Sequence, residues 1–294
     1  MSIKAMVKEQ DICRLRQIDA LRLYGGDTRE REIDGRIGGS SKDTLYGDED
    51  AYRTLNALLF EGRKNEQERI WEERHKLNPA FLRRIEETVQ IYTDIFKLMK
   101  EKRFHCTNNM IGRRIDRASS VSYYEDGFTH SFFSSSKCDY DPEFFKKNGI
   151  VLIETEIPPN VPFIDYEKNL SWDEYKNMEE REILLPPFLS IEMKKIPLRA
   201  VETQKIKDLK GKPPLGKYRL KAIDFPDYRK EISVPQKELW KQIVDGKEAA
   251  ALLLEKMNDG DKTQDYKEYI LWKEKLQLYL KIQFSQVWHG GDVN

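Results

Sequence analysis

The chain has 294 residues, room for one large domain or two smaller ones, and its 51 Lys+Arg balance its 51 Asp+Glu. A net charge of +0 excludes recruitment to nucleic acid or a membrane surface by bulk charge, and 13 Phe, 14 Tyr and 5 Trp exclude wholesale disorder. Cys13, Cys106 and Cys138 form no CxxC pair, and His75, His105, His130 and His289 lack metal-ligand spacing, so no disulfide framework and no metal site is expected.

Residues 1–24 read as a short helix, with Ile12, Leu15, Ile18 and Leu21 at helical spacing. The first residues contain no apolar h-region and no stretch reaches bilayer length, so the default expectation is the cytoplasm, with export by a signal-independent route left open. Residues 25–50 are polar and glycine-rich and read as a linker. The Gly35-to-Ser40 run lacks the lysine and preceding strand of a phosphate loop.

Tyr52, Leu55, Leu58, Leu59 and Phe60 form one apolar helical set. Asn78-Pro79 then supplies a cap and a first-turn proline. Phe81, Leu82, Ile85, Val89, Tyr92, Ile95, Phe96 and Met99 predict a single amphipathic helix of roughly six turns. From about residue 108 short β-rich runs appear: 127–134, 150–157, 182–185, 189–193 and 217–225. Pro158-Pro159, Pro186-Pro187 and Pro213-Pro214 separate several of them. Residues 226–294 return to helix in three apolar sets, with a turn at Asp259-Gly260. The order, helices and then strands, is that of an α+β fold.

Three short motifs occur in sequence on the β-rich segment. They are Ile111-Gly112-Arg113-Arg114, then Ser131-Phe132-Phe133-Ser134-Ser135-Ser136, then Glu180-Arg181-Glu182-Ile183-Leu184-Leu185-Pro186. Each alone is commonplace: an arginine pair, a polar serine turn, two acids at a strand end. In this order they resemble the arginine, serine and glutamate signature of mono-ADP-ribosyltransferases, in the branch with an ExE motif. Asp141-Pro-Glu-Phe-Phe145 with the strand 150–157 resembles that family's helix and following strand, and Tyr52-Arg-Thr-Leu-Asn56 its upstream helix. The resemblance covers roughly residues 45–226. Where the family often has Tyr-Arg-Gly, this chain has Gly112-Arg113-Arg114, and the middle threonine of the serine motif is Ser135.

The resemblance implies an ADP-ribosyltransferase-like two-sheet β core over 45–226, an N-terminal helix and linker over 1–44 and a C-terminal helical extension over 227–294. It implies NAD as co-substrate, an arginine on a target protein as acceptor, and a bacterial toxin or effector as one plausible setting. No membrane or nucleic-acid partner is expected. The implied catalytic residues are Glu182, Glu180 and Ser134. The implied NAD-binding residues are Arg113, which the spacing favours over its neighbour Arg114, with Ser134, Ser136, Phe144 and Asn56. Residue chemistry agrees: a guanidinium fork suits a pyrophosphate, a small hydroxyl suits a ribose, and a fixed carboxylate suits the oxocarbenium character that grows as nicotinamide leaves. A second acid two residues from the first can orient a guanidinium and take its proton. A catalytically silent binding module of the same fold and an NAD glycohydrolase are the alternative readings.

Two charged segments stand out. Residues 165–182 hold seven acids and three bases, beside Trp172 and Tyr175. They suit a cationic protein target and equally an ordinary solvated loop. Residues 194–221 hold ten bases and two acids, and read most simply as a solvated connection, with a dinucleotide flank or an acidic partner as alternatives. Among Tyr140, Phe144 and Phe145, core packing is the commoner role for such rings, and no more than one is expected against nicotinamide.

Overall fold

The computed structural model describes residues 14, 16–24, 51–60, 77–101, 108–138, 151–171, 181–231, 233–261, 263 and 266–290. They form two compact units, one of residues 1–98 with 227–294 and one of residues 99–226. Together these make an α+β chain with helices at both ends of the sequence and a seven-stranded mixed sheet between them.

The first unit is helical. It contains α1 (16–24), α2 (Ala51–Leu59), α3 (Ala80–Arg83), α4 (Ile85–Lys100) and two long C-terminal helices. Asn78 caps α3, its side-chain oxygen accepting from the Ala80 N–H at 2.9 Å. The single six-turn helix expected from residue 79 onward is interrupted at Arg84 (φ −105, ψ 45). The cause is local: the Thr88 hydroxyl donates to the Phe81 carbonyl at 2.7 Å and to the Arg84 carbonyl at 3.1 Å, drawing these carbonyls toward a side chain at the break. The apolar positions still bury as the spacing requires, with Phe81, Leu82, Ile85, Tyr92, Ile95, Phe96 and Met99 all inaccessible.

The three C-terminal apolar sets resolve into two helices, α8 (Gln236–Asn258) and α9 (Lys267–His289). Gly246 lets them approach, because a Cβ there would meet the Trp272 ring at 2.9 Å, and the Trp272 indole N–H donates to the Ile243 carbonyl at 2.8 Å. Phe284 of α9 stacks on Phe96 of α4 at 4.5 Å. Arg83 makes a bidentate pair with Glu255 of α8 (2.7 and 2.9 Å).

The second unit holds β1 (Met110–Asp116), α5 (Val121–Tyr124), β2 (Phe133–Ser136), β3 (Val151–Ile157), β4 (Ile164–Asp165), α6 (Tyr166–Asn169), β5 (Glu182–Leu185), β6 (Ile191–Ile196), α7 (Ala200–Lys210) and β7 (Gly216–Ala222). The strand order is β4-β5-β2-β1-β3-β7-β6. Among the described residues, only β3 and β7 pair in parallel. The hydrogen bonding runs through one sheet, so the two sheets implied by the resemblance appear as two blocks of it. The blocks β4-β5-β2 and β1-β3-β7-β6 meet at a single register pair, Arg113↔Ser136.

The strand expected over 127–134 begins later, at Phe133. Gly127 takes a positive φ of 84, and the loop after it bonds instead to the segment following β5: the Phe188 and Ile191 amides donate to the Thr129 and Gly127 carbonyls at 2.6 and 2.8 Å. The basic stretch 194–221 is not a loop connection: it carries the end of β6, all of α7 and most of β7. Most of its bases are exposed, as a solvated segment requires, but Lys217 is buried with two acids against it.

Candidate active site

Side chains directly opposite one another on paired strands share a face of the sheet. The register pairs Arg113 of β1 with Ser136 of β2, and Ser136 with Glu182 of β5. A guanidinium, a hydroxyl and a carboxylate therefore lie in one row across three neighbouring strands. Ser134, two residues before Ser136, shares their face and is opposite Leu184. All four are partly exposed.

The same row continues on the other side of Arg113. Glu154 of β3 is opposite Arg113, and Arg219 of β7 is opposite Glu154. The Glu154 carboxylate lies 3.9 Å from the Arg113 Nε and accepts from Lys217 at 2.7 Å and Arg219 at 3.0 Å. Burial pushes this carboxyl up, but hydrogen bonds from Lys217 and Arg219 outweigh it and hold the group below its ordinary range. Beyond the row, Ile115 and Leu152 on this face are covered by Ile206 of α7 and by Leu198. The charged row thus borders a dry apolar patch.

Arg114 lies on the opposite face, as alternation along β1 requires. Its guanidinium donates to the Ser134 carbonyl at 2.9 Å and to Asp116 at 2.7 Å, and sits over the Phe133 ring at 4.7 Å. The Tyr124 hydroxyl donates to the other Asp116 oxygen, and burial raises that phenol well above its ordinary value. Ser135 is on this inner face too, and its hydroxyl comes so near β1 that a Cβ on Gly112 would lie 2.1 Å from it.

Glu182 opens β5, and the residue before it, Arg181, has φ 46, an uncommon conformation for a side-chain-bearing residue. Two contacts hold that turn. The Arg181 carbonyl accepts from the Lys137 N–H at 3.0 Å, and the Arg181 Nε lies 3.2 Å from Glu167. Glu180 and Phe144 lie outside the described residues. Asn56 lies in the helical unit, where its side-chain amide donates to the Tyr24 hydroxyl at 3.0 Å.

Sequence reading missed Glu154, Lys137, Asp165 and Glu167. A signal for the first was available: Glu154 interrupts the apolar run Val-Leu-Ile of a central strand, and a carboxylate there needs cations, which Lys217 and Arg219 supply at matching parity on β7. For the others the partners are far apart in sequence, and no local pattern joins them. Among the described residues no group of three or more His, Cys, Asp or Glu could hold a metal ion, and no helix is long and apolar enough to cross a membrane.

No family model and no curated protein matches this chain. Among solved structures it is similar to Plx2a, an ADP-ribosyltransferase toxin from Paenibacillus larvae, at 14% identity, covering 49% of this chain and 78% of that one with a TM-score of 0.31. It is also similar to BECa, an ADP-ribosylating toxin of a novel binary enterotoxin of C. perfringens, in a structure with NADH. There the identity is 15%, the coverage 58% of this chain and 40% of that one, and the TM-score 0.31.

Proposed function

We propose that this chain is an NAD-dependent mono-ADP-ribosyltransferase that transfers ADP-ribose to an arginine of a target protein and releases nicotinamide. The observation that carries the reading is the row Arg113–Ser136–Glu182 on adjacent strands, with Ser134 on the same face. The motifs that resemble the family's signature are otherwise separated by tens of residues.

The groups in the row fit the chemistry of NAD. Arg113 is permanently charged and binds the pyrophosphate. Its sharing of a face with Glu182 favours it over Arg114 for this role. Ser134 and Ser136 offer hydroxyls to the ribose end. The bond from ribose C1 to the nicotinamide nitrogen breaks and nicotinamide leaves with the electron pair. Glu182 stabilises the positive charge that develops on the ribose, much as a carboxylate does in glycoside hydrolysis. A target guanidinium nitrogen then bonds to C1 and loses a proton, with Glu180 as its acceptor. Glu180, Phe144 as a stacking ring and Asn56 as an NAD contact rest on the resemblance.

The test is transfer from labelled NAD to polyarginine, read beside nicotinamide release without acceptor. The wild-type protein transfers label. Glu182→Ala loses both reactions by at least about a hundredfold, as removal of a transition-state charge stabiliser does. Glu180→Ala loses transfer while keeping much of the hydrolysis. A wild-type chain inactive in both assays overturns the reading, and hydrolysis with no transfer to any arginine acceptor makes it a glycohydrolase.

A further inference from the structure

Lys137 follows the serine motif directly, and four separate contacts meet on it. Its carbonyl accepts from Arg113 Nη1 at 3.4 Å, and its N–H donates to the Arg181 carbonyl at 3.0 Å, one rung beyond the Ser136↔Glu182 pair. Its ammonium lies 2.6 Å from Asp165 and 2.5 Å from Glu167. Asp165 is 1% exposed and also caps α6, accepting from the Lys168 N–H. Glu167 turns back to Arg181 at 3.2 Å. The circuit therefore closes: β2 to α6 through the ammonium, α6 to Arg181 through Glu167, and Arg181 back to β2 through the backbone.

The sheet needs such a circuit here. β1 and β2 share one register pair, and β5 begins at Glu182, directly after a residue with φ 46. Ladder bonding alone leaves the relative positions of Arg113 and Glu182 weakly fixed. Because Asp165 is buried, removing the ammonium leaves an uncompensated buried carboxylate, so breaking this link costs more than breaking a surface pair. The bond from Lys137 also holds the Glu167 carboxyl below its ordinary range.

We propose that Lys137 is a positioning residue for the Arg113–Glu182 pair, holding the strand end that carries Glu182 in register with Arg113 through Asp165, Glu167 and Arg181. The proposal rests on the transferase reading for its kinetic consequence, but its structural content stands apart from any reaction.

The experiment uses the full chain with two readouts. Lys137→Met lowers kcat for NAD hydrolysis about 10- to 100-fold, the scale of a misplaced reacting group, with KM nearly unchanged. Lys137→Arg, which can still pair both carboxylates, restores most of it. Amide hydrogen exchange at 136–138 and 181–183 quickens in Lys137→Met and returns to the wild-type rate in Lys137→Arg. A variant with unchanged kcat and unchanged exchange overturns the proposal. So does a lowered melting temperature with kcat per folded molecule intact, which would make the contact merely structural. If Lys137→Met does not fold, Glu167→Gln, which leaves the Asp165 bond, is read the same way and lowers kcat by a smaller factor. A wild-type chain that neither transfers nor hydrolyses sinks the transferase reading alone, and the exchange rates then decide the clamp: quickened exchange supports it and unaltered exchange overturns it.

Discussion

Lys217 carries a charge into a place where an unpaired charge is unfavourable. It is 3% exposed and is met by Glu154 at 2.7 Å and Glu202 of α7 at 2.6 Å. Burial pushes the Glu202 carboxyl up, but hydrogen bonds from Arg199 and Lys217 outweigh it and lower it from 4.5 to about 2. Because the folded value lies below the unfolded one, this group's contribution is complete above about pH 4.5 and is lost as pH falls toward about 2. Glu154, lowered in the same direction, adds to that acid loss. Lys217→Met leaves two buried carboxylates answered by Arg199 at Glu202 and by Arg219 and the more distant Arg113 at Glu154. The expected loss is about 3 kcal/mol, the low end for breaking a buried pair because those arginines remain. Urea unfolding at neutral pH measures it, and a loss under about 1 kcal/mol would mean the pair behaves as a solvated surface bridge.

At the scale of elements, the seam between β1 and β2 decides whether the candidate site exists. One register pair joins the strands, so other contacts must set their spacing. Gly112 permits the close approach, with a Cβ there falling 2.1 Å from the Ser135 hydroxyl and 2.9 Å from its Cβ. Arg114 ties the other side, donating to the Ser134 carbonyl. Gly112→Ala is therefore expected to force the strands apart, costing about 1–3 kcal/mol as overpacking does and lowering NAD hydrolysis with it. A variant with full stability and full activity would show that the seam yields without consequence. Much of this was legible beforehand. The motifs lie on strands because their flanks alternate or run apolar, and Ile183-Leu184-Leu185 is buried as a continuous apolar run suggests. The arginine pair was ambiguous in sequence, since two adjacent arginines on a strand face opposite ways whichever one is chosen. Spacing favours Arg113, and the register from β1 through β2 to β5, whose last step joins residues more than forty apart, gives Arg113 the face of Glu182 and Arg114 the inner one. The helix α7 was hidden for a different reason. Its lysines mask the apolar stripe, whose buried core contact is Ile206, and too few apolar positions remain for a period to show.

For the whole molecule, the question is what the last 68 residues do for the chain. Read along the sequence, 227–294 follows the strands as an added helical segment. In space α8 and α9 belong to one compact unit with 1–98. The contacts are specific: Phe284 stacks on Phe96, Glu255 pairs with Arg83, and the Gln277 amide donates to the Leu58 and Phe60 carbonyls at 3.1 Å. A protein ended at residue 226 keeps Phe96 and Leu58 but loses these partners. Each large apolar side chain returned to water costs about 1.5–3 kcal/mol, so exposing a handful of them uses up the 5–15 kcal/mol that typically separates folded from unfolded. The 1–226 chain is therefore expected to lose cooperative thermal melting of its helical signal and to associate through the bared faces of α2 and α4. Circular dichroism melts and light scattering on the two chains check this. A monodisperse 1–226 chain that melts as sharply as the full protein would mean that α1 to α4 hold their own core. In that case the partnership with α8 and α9 would contribute little to folding, despite the buried aromatic stack and the bidentate pair that join them.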